Sequence, residues 1–410
     1  YGSSNLSGMM AKITAGATSA LGDIVMLGSG AGTFVASQIT GMMTKINEGA
    51  TGGLANITSG DYGSSWTIDT TAMTAQIRSG TSGALGSFTM TDYNPNDPKY
   101  AFANSPYIRI STSGNDASTN HFCAIDLIGA LRCWGEGTYG KLGNDSTSHN
   151  TDPEVVTLGQ RAKSVTTAKH STCAVLDDGS VKCWGIGNYY QLGNGANTPV
   201  RTAGTALTFG LAKAVSIAAT EDSYLVLLNN DSIGYWGNGY DGTLGQEGAS
   251  DASTPQFGID LGTNRHAIQI SAGKDHVCAV LDNASIKCWG KNSNGKLGVG
   301  DTTDRGKAAN TMGDDLPSVY LGAGKTAKAV SAGGAFTCAL LNDDSVRCWG
   351  YNNYGQLGNG TTDDLTTLAG SSTSVNFGGK TPKSIHAGHL HACAIMTDGS
   401  AMCWGYGNDG

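Results

Sequence analysis

The cysteines of this sequence follow a fixed spacing that limits the chemistry they can do. Ten cysteines fall into five pairs ten positions apart, and a Trp-Gly follows the second member of each pair: Cys123 and Cys133, Cys173 and Cys183, Cys278 and Cys288, Cys338 and Cys348, Cys393 and Cys403. Paired thiols suit either a disulfide or a zinc site. Zinc cysteines usually stand roughly two to four residues apart and come in fours, so this spacing favours disulfides.

The stretch CAVLDDGSVKC at 173–183 predicts how such a pair meets. If residues 177–179 form the turn of a β-hairpin, Cys173 lies opposite Cys183. Directly opposed residues of an antiparallel pair have Cβ atoms close enough for a disulfide. The same pattern recurs before Trp236, but with Leu225 and Tyr235 in place of the two cysteines. Both cysteines are thus absent together, as expected of a bonded pair. Five disulfides predict an oxidising compartment, and hence an extracellular or cell-surface protein.

The histidines offer a weaker case for metal binding. In the stretch HAGHLH, His386, His389 and His391 are close enough in sequence to gather a metal, and alternate residues of a strand share a face. However, His121 and His276 also stand two residues before a first cysteine, as His391 does. This recurrence indicates a packing or hydrogen-bonding position, so we predict no metal site and keep these three as weak candidates.

Acidic loops raise the question of calcium. The stretches at 144–152, 301–305 and 361–364 carry carboxylate and amide oxygens, which calcium prefers. They lack the regular aspartate spacing of known calcium loops, and solvated loops have the same composition. We therefore predict no cofactor, with calcium as the weaker alternative.

Tyrosines offer a hypothesis for partner binding. Seven of them follow a Trp-Gly: Tyr139, Tyr189, Tyr190, Tyr240, Tyr351, Tyr354 and Tyr406. Tyrosine gives a large contact area at a low cost in conformational entropy, which suits interfaces. They could equally pack each loop against the neighbouring repeat. We keep these seven tyrosines as candidates for binding a protein or a glycan.

The sequence holds no nucleophile elbow, phosphate loop or zinc-protease motif, so we predict a protein that is not an enzyme.

A repeat of about 50 residues must position these side chains. Trp-Gly recurs six times, with Trp at 134, 184, 236, 289, 349 and 404, so the spacings are 50, 52, 53, 60 and 55 residues. Each unit reads as a lead-in strand, a hairpin ending in Trp-Gly, and a loop that closes on Leu-Gly. A period of this length built from short strands is typical of a β-propeller, in which each sheet is one blade.

The Cys-Trp-Gly, the aliphatic lead-in and the run NYGQLGNG at 353–360 resemble the regulator of chromosome condensation repeat. The resemblance covers roughly residues 105–410. It implies a propeller of four-stranded blades, usually seven, that binds ligands through loops on one face. The cysteine pairs are similar to those of secreted bacterial members, one of which is a β-lactamase inhibitor. Six repeats are visible and the last reaches only GYGNDG, so we expect six or seven blades, with another segment or subunit closing the ring if the chain does not continue.

The first 104 residues hold no cysteine and a different repeat. Three units of 31 to 33 residues begin at positions 8, 41 and 72 and are rich in Gly, Ser and Thr. We interpret each as two short strands around a small-residue turn, in a hairpin or a solenoid rung, with a short helix as the alternative. Units of this kind suit stacking on each other or on neighbouring copies, so we predict an assembly region that binds copies of the same chain.

Charge and hydropathy limit the partners further. The formal net charge of -8 would repel a nucleic acid backbone, and no apolar run approaches the length that crosses a bilayer. Our first hypothesis is an all-β extracellular structural and interaction protein, a subunit of a surface filament or layer that displays a propeller. The alternative is a monomeric secreted binding module or enzyme inhibitor. A polysaccharide-active enzyme is a third, less supported reading.

Overall fold

The computed structural model describes two units of the chain, residues 1–104 and 105–410. The described residues are 24–26, 57–59, 67–68, 107–112, 120–248, 250–368 and 374–407. Within these ranges the regular structure is β-strand with three short 3-10 turns, at Thr138–Gly140, Ser293–Gly295 and Gly313–Asp315. None of the helical turns in these ranges is long and apolar enough to span a membrane.

The described residues of the first unit form a small sheet of three strands. They are β1 (Ile24–Met26), β2 (Ile57–Ser59) and β3 (Thr67–Ile68), in the order β1-β2-β3. Ile24 and Ile57 are the last residues of the first two repeat units, and they are paired because β1 and β2 run parallel. Parallel pairing of equivalent positions is the arrangement of stacked rungs. The rest of the three repeats, including the strands and the alternative helix predicted there, lies outside the described residues.

The second unit consists of six antiparallel sheets in chain order, and each contacts the next. This confirms the prediction of an all-β repeat propeller. The six blades are numbered one to six along the chain, and their strands are β4 (Tyr107–Thr112), β5 (His121–Asp126), β6 (Leu131–Gly135) and β7 (Asn150–Val155); β8 (Ala162–Thr167), β9 (Ser171–Leu176) and β10 (Val181–Gly185); β11 (Ala214–Ala219), β12 (Ser223–Leu228), β13 (Ile233–Gly237) and β14 (Ala252–Phe257); β15 (Ala267–Ala272), β16 (His276–Leu281) and β17 (Ile286–Gly290); β18 (Ala327–Ala332), β19 (Phe336–Leu341) and β20 (Val346–Gly350); β21 (Pro382–Ala387), β22 (His391–Met396) and β23 (Ala401–Gly405).

Among the described residues, the fourth, outer strand is complete in blades one and three. In blades two, four and five the same edge is closed by isolated bridges, such as Gly185 to Val200 and Val181 to Leu207. The segment that makes the bridges of blade two contains Pro199 and Gly204, which interrupt a continuous ladder. Blades one and three thus have the four strands that the resemblance implied, while blades two, four and five have three strands and a few bridges.

Inside each blade, the predicted hairpin register is present. Cys173 pairs with Cys183 across β9 and β10, and each of the five cysteine pairs is joined in a disulfide. In blade three, Leu225 pairs with Tyr235 at the same place and both side chains are buried. The apolar pair thus fills the position that a disulfide fills in the other blades.

The tryptophan of the repeat joins one blade to the blade before it. In each joint its indole N–H donates a hydrogen bond to the backbone carbonyl of the residue before Leu-Gly in the preceding blade: Trp184 to Lys141, Trp236 to Gln191, Trp289 to Thr243, Trp349 to Lys296 and Trp404 to Gln356. The donor to acceptor distance is 2.9 Å in four joints and 2.8 Å in the last. We call this contact the indole joint.

The indole joint explains why the loop closes on Leu-Gly. Gly298 has φ +75°, a conformation that side chains with a Cβ adopt at a cost, and a Cβ there would stand 2.5 Å from Nε1 of Trp349. The leucine before it, Leu297, is fully buried. The indole of the next blade lies directly on the glycine backbone, and a side chain would push the blades apart.

The first and sixth blades each carry one exposed face. The branched residue at the fourth position of the lead-in strand is buried in blades two to six, but its equivalent in blade one, Ile110, is 65% exposed. In blade six, three residues of β22 that match fully buried positions elsewhere are partly or fully exposed. These two faces correspond to the two opposite sides of an ordinary blade-to-blade contact.

We expect Gly298→Ala to destabilise the propeller by about 3 kcal/mol or more, because left-handed strain and a clash with the indole of Trp349 add together. Gly300→Ala is the matched control. Gly300 also has a positive φ, +92°, but nothing lies within 4 Å of its added Cβ, so only the strain of about 1–2 kcal/mol applies. Guanidinium unfolding of the oxidised protein measures both, and equal losses would show that the indole contact is loose.

Candidate functional site

One face of the propeller carries two sets of loops, which we call the loop face. The loops after Trp-Gly leave the end of each third strand, and the turns between first and second strands stand beside them. In blade two this is seen in the register, because Gly185 at the end of β10 pairs with Ser171 at the start of β9. The hairpin turns, such as residues 177–179, lie at the opposite ends of the same strands.

The predicted tyrosines lie on the loop face, but in separate groups. Three of them, Tyr351, Tyr354 and Tyr406, form a contiguous cluster across blades five and six. Their ring centroids are 6.2 Å apart for Tyr351 and Tyr354 and 4.9 Å apart for Tyr354 and Tyr406, in edge-to-face geometry. Tyr354 is 46% exposed, so the cluster presents a preformed aromatic surface to solvent.

The other tyrosines are distributed over blades one to three. Tyr190 and Tyr240 line one open cleft with Asp251 and Lys307. Tyr139 packs edge to face against His170 with 5.4 Å between ring centroids, and Tyr189 is exposed on the loop of blade two. Packing between blades and exposure for binding, the two roles weighed from sequence, therefore both occur.

A chain of charges crosses three blades on the same face. Glu221 of blade three lies between two lysines, with Lys169 of blade two at 2.5 Å and Lys274 of blade four at 3.7 Å. All three stand four residues before the first cysteine position of their repeats, in the turn between first and second strands. Their shared position in the repeat is visible in the sequence, but the contacts between them were not predicted from it.

Two lysines of the Leu-Gly loops are buried with acidic partners. Lys141 pairs with Glu136, and Lys296 pairs with Asp275. Burial lowers the pKa of Lys141, and the hydrogen bond that its ammonium donates to Glu136 opposes that shift. Because the carbonyls of these two lysines accept the indole joints, the ion pairs help to hold the acceptor loops in place.

Buried histidines extend the same joints. His121 Nε2 lies 2.7 Å from Oγ1 of Thr172 in the next blade, and Thr172 donates in turn to the carbonyl of Lys141. His276, Thr337 and Lys296 repeat this arrangement, with 2.9 Å between Nε2 and Oγ1. The inference that a histidine two residues before the first cysteine is a hydrogen-bonding position is confirmed for these two.

Burial lowers the pKa of both histidines well below the usual value. The charge of Lys141 adds to the effect on His121, and that of Lys296 adds to the effect on His276. Both rings are therefore neutral in the folded protein near pH 7. Since each threonine hydroxyl donates to a carbonyl, it accepts the Nε2–H of the histidine.

The weak metal candidates occupy different surroundings. His386 is exposed and lies 3.2 Å from the hydroxyl of Ser384, His389 is half-buried, and His391 is exposed on β22. Among the described residues, no three histidine, cysteine or acidic side chains are arranged to hold a metal ion. The cysteines all form disulfides.

The acidic loops instead hydrogen-bond to their own backbone and side chains. Asp301 accepts two hydrogen bonds from the guanidinium of Arg305, and these bonds lower its pKa to about 2. Asp364 accepts from the backbone N–H of Asn352 and from the side chain of Asn294 in the preceding blade. Such bonds order the loops that carry the tyrosines.

Comparison with known proteins identifies the repeat. Family models described as the regulator of chromosome condensation (RCC1) repeat match residues 267–296, 327–356 and 383–410, and a second such model matches 235–280. The match at 267–296 begins with β15 and ends at Lys296, the acceptor of an indole joint. The matched unit is thus the lead-in strand, the hairpin and the loop up to the joint.

Relatives and solved structures agree with this. The ultraviolet-B receptor UVR8 of Arabidopsis thaliana is 30% identical over 199 residues, which are 48% of this chain and 42% of UVR8. The human E3 ubiquitin-protein ligase HERC2 is 27% identical over 250 residues, 60% of this chain and 5% of HERC2. The chain spans less than half the length of these two relatives.

Two structures of a yeast propeller support the fold alone. Prp20p from Saccharomyces cerevisiae, described with its binding to Gsp1p and histones, has a TM-score of 0.61 and 22% identity over 73% of this chain and 72% of that one. Yeast RCC1 (Prp20) bound to Kap60 has a TM-score of 0.59 and 20% identity, covering 73% and 70%.

The buried histidines predict a loss of stability in mild acid. Because their folded pKa values lie below the unfolded value of about 6.5, the unfolded chain binds more protons below that pH. The contribution of each is complete above about pH 7 and falls by up to about 1.4 kcal/mol per pH unit below 6.5.

Urea unfolding between pH 5 and 7.5 measures this slope. His276→Gln keeps a donor for Thr337 but does not titrate. We therefore expect the free energy of unfolding to depend less steeply on pH, by about the contribution of one histidine. The unaltered chain, measured over the same pH range, is the reference for the slope. Lowered pKa values of carboxyls such as Asp301 act at lower pH and do not interfere. An unchanged slope in His276→Gln would contradict the assignment.

Proposed function

Because residues 105–410 form a repeat propeller of the regulator of chromosome condensation type, we propose that the chain is a protein-interaction module that binds its partner through the loop face. The observation that carries this is the exposed cluster of Tyr351, Tyr354 and Tyr406. Tyrosines held against one another are already ordered, so binding to them loses little side-chain entropy. Yeast RCC1 (Prp20), which has a similar fold, has been solved bound to Kap60, and this supports a protein as the partner.

We place this module outside the cytoplasm, on the cell surface or in the surrounding medium. The support comes from the five disulfides, since such bonds persist in oxidising compartments. The charge of the chain supports a protein or glycan partner over nucleic acid, because a net charge of -8 repels phosphate. Catalysis is not part of the proposal.

The test places a photo-crosslinking amino acid at Tyr354 and at Tyr320 in separate variants. Tyr320 is a matched control because it is 51% exposed and follows Val319, which hydrogen-bonds to the start of β17 on the opposite face. We expect one crosslinked protein of constant mass from Tyr354 in intact cells that make the chain, and none from Tyr320. The crosslink should weaken at least tenfold when Tyr406→Ser is added. Equal crosslinking from both faces would overturn the proposal.

A second proposal concerns assembly through residues 1–104. The parallel pairing of Ile24 with Ile57, at equivalent repeat positions, supports units that stack as rungs, and such stacks extend from one copy to the next. On this reading the chain is a subunit of a surface filament or layer that displays its propeller. The alternative is a monomeric secreted binding module or inhibitor.

Electron microscopy of the full chain separates the two. We expect regular filaments or sheets, which Thr58→Pro should abolish because proline removes a backbone N–H in the middle of β2, between β1 and β3. Thr58→Val keeps the strand propensity and should assemble normally. Compact single particles at every concentration would overturn assembly and favour the monomeric module.

A further inference from the structure

The loops of blades two, three and four enclose an open cleft of about 420 Å³, lined by Tyr190, Tyr240, Ser250, Asp251 and Lys307. Its volume falls within the range of small-ligand sites. It is separate from the tyrosine cluster of blades five and six, and no ion pair or aromatic pair links the two among the described residues. The cleft therefore has its own ligand to explain.

The walls of the cleft are held by hydrogen bonds before any ligand binds. The N–H of Tyr240 donates to Oδ1 of Asn238 at 2.7 Å, and the carbonyl of Tyr240 accepts from Nζ of Lys307 at 3.1 Å. Oδ1 of Asp251 accepts from the N–H of Gly239 at 3.1 Å. Aromatic ring, ammonium and carboxylate are thus fixed relative to one another, which favours binding by reducing the entropy lost.

One face of the aromatic ring of Tyr240 contacts a lysine. Nζ of Lys307 lies 4.4 Å from the ring centroid, in cation–π contact. The side chain is nevertheless 73% exposed, more than any other tyrosine among the described residues. The ammonium contacts one face of the ring, and the other face can stack against a flat ligand.

We propose that this cleft binds a neutral sugar ring. A pyranose has a C–H face that stacks on an aromatic ring and hydroxyl groups that both donate and accept hydrogen bonds. The cleft offers a carboxylate that only accepts (Asp251), an ammonium that only donates (Lys307) and hydroxyls that do both (Tyr190, Ser250). A polyhydroxylated ring satisfies all of these groups at once.

Other ligands leave groups in the cleft unsatisfied. The carboxylate of Asp251 repels an anionic ligand, and the ammonium of Lys307 repels a cationic ligand. An apolar ligand would desolvate both charges without replacing their hydrogen bonds, which is costly. The mixed charges thus select a neutral ligand that is rich in hydroxyl groups.

The test is saturation-transfer NMR and calorimetry on the full chain with neutral trisaccharides, namely maltotriose, cellotriose, mannotriose and chitotriose. We expect at least one to bind, and Tyr240→Ser to weaken that binding at least tenfold. Tyr240→Phe keeps the stacking ring and should restore it. Tyr320→Ser, on the opposite face, should bind as the unaltered chain does.

A substitution of Asp251 tests the polar contacts of the cleft. Asp251→Asn keeps an oxygen for the N–H of Gly239 but adds a donor, so we expect weaker sugar binding with an unchanged thermal midpoint. The absence of binding by all four sugars would overturn the proposal, as would binding that survives Tyr240→Ser or a stronger response to an acidic or basic peptide. Because the readout uses no protein partner, this result is independent of the crosslink from Tyr354.

Discussion

The indole joint is the contact on which the rest of the propeller depends. A net stabilisation of about 1 kcal/mol for the hydrogen bond is modest, but burial of the large apolar indole adds to it, and in four of the five joints that indole is fully buried. The bond fixes the position of the Leu-Gly loop against the next blade. Since the tyrosines and the cleft residues belong to those loops, the geometry of the loop face follows from the geometry of the joints.

Disulfides and joints stabilise different parts of the molecule. Each disulfide joins two cysteines ten positions apart within one blade, and blade three folds with Leu225 and Tyr235 in the same place. The joints connect blades and recur in blade three without change, because Trp236 and Trp289 both donate there. Local covalent bonds stiffen the hairpins, while the noncovalent contacts between hairpins give the array its form.

Contacts within one blade could be predicted from the sequence, and contacts between blades could not. The pairing of Cys173 with Cys183 follows from a turn three residues long, because strand register is a local property. The Trp-Gly and Leu-Gly spacing showed that both motifs matter, but their contact joins residues of different repeats. The cleft escaped prediction for the same reason: Lys307 lies 67 residues after Tyr240, in another blade. The histidines of HAGHLH were weak candidates for a metal site because they are close in sequence. Closeness in sequence does not by itself bring side chains together in space.

The exposed faces of the first and sixth blades are the two halves of one kind of contact, and this has a consequence for how such a chain changes over evolutionary time. Each of repeats two to five carries a donor indole on one side and an acceptor carbonyl on the other. A gene duplication that copies one whole repeat therefore supplies both halves together, and the new sheet fits between its neighbours without compensating substitutions. Loss of one repeat brings together two matching halves in the same way. Repeat number can then change more easily than the sequence at any single joint.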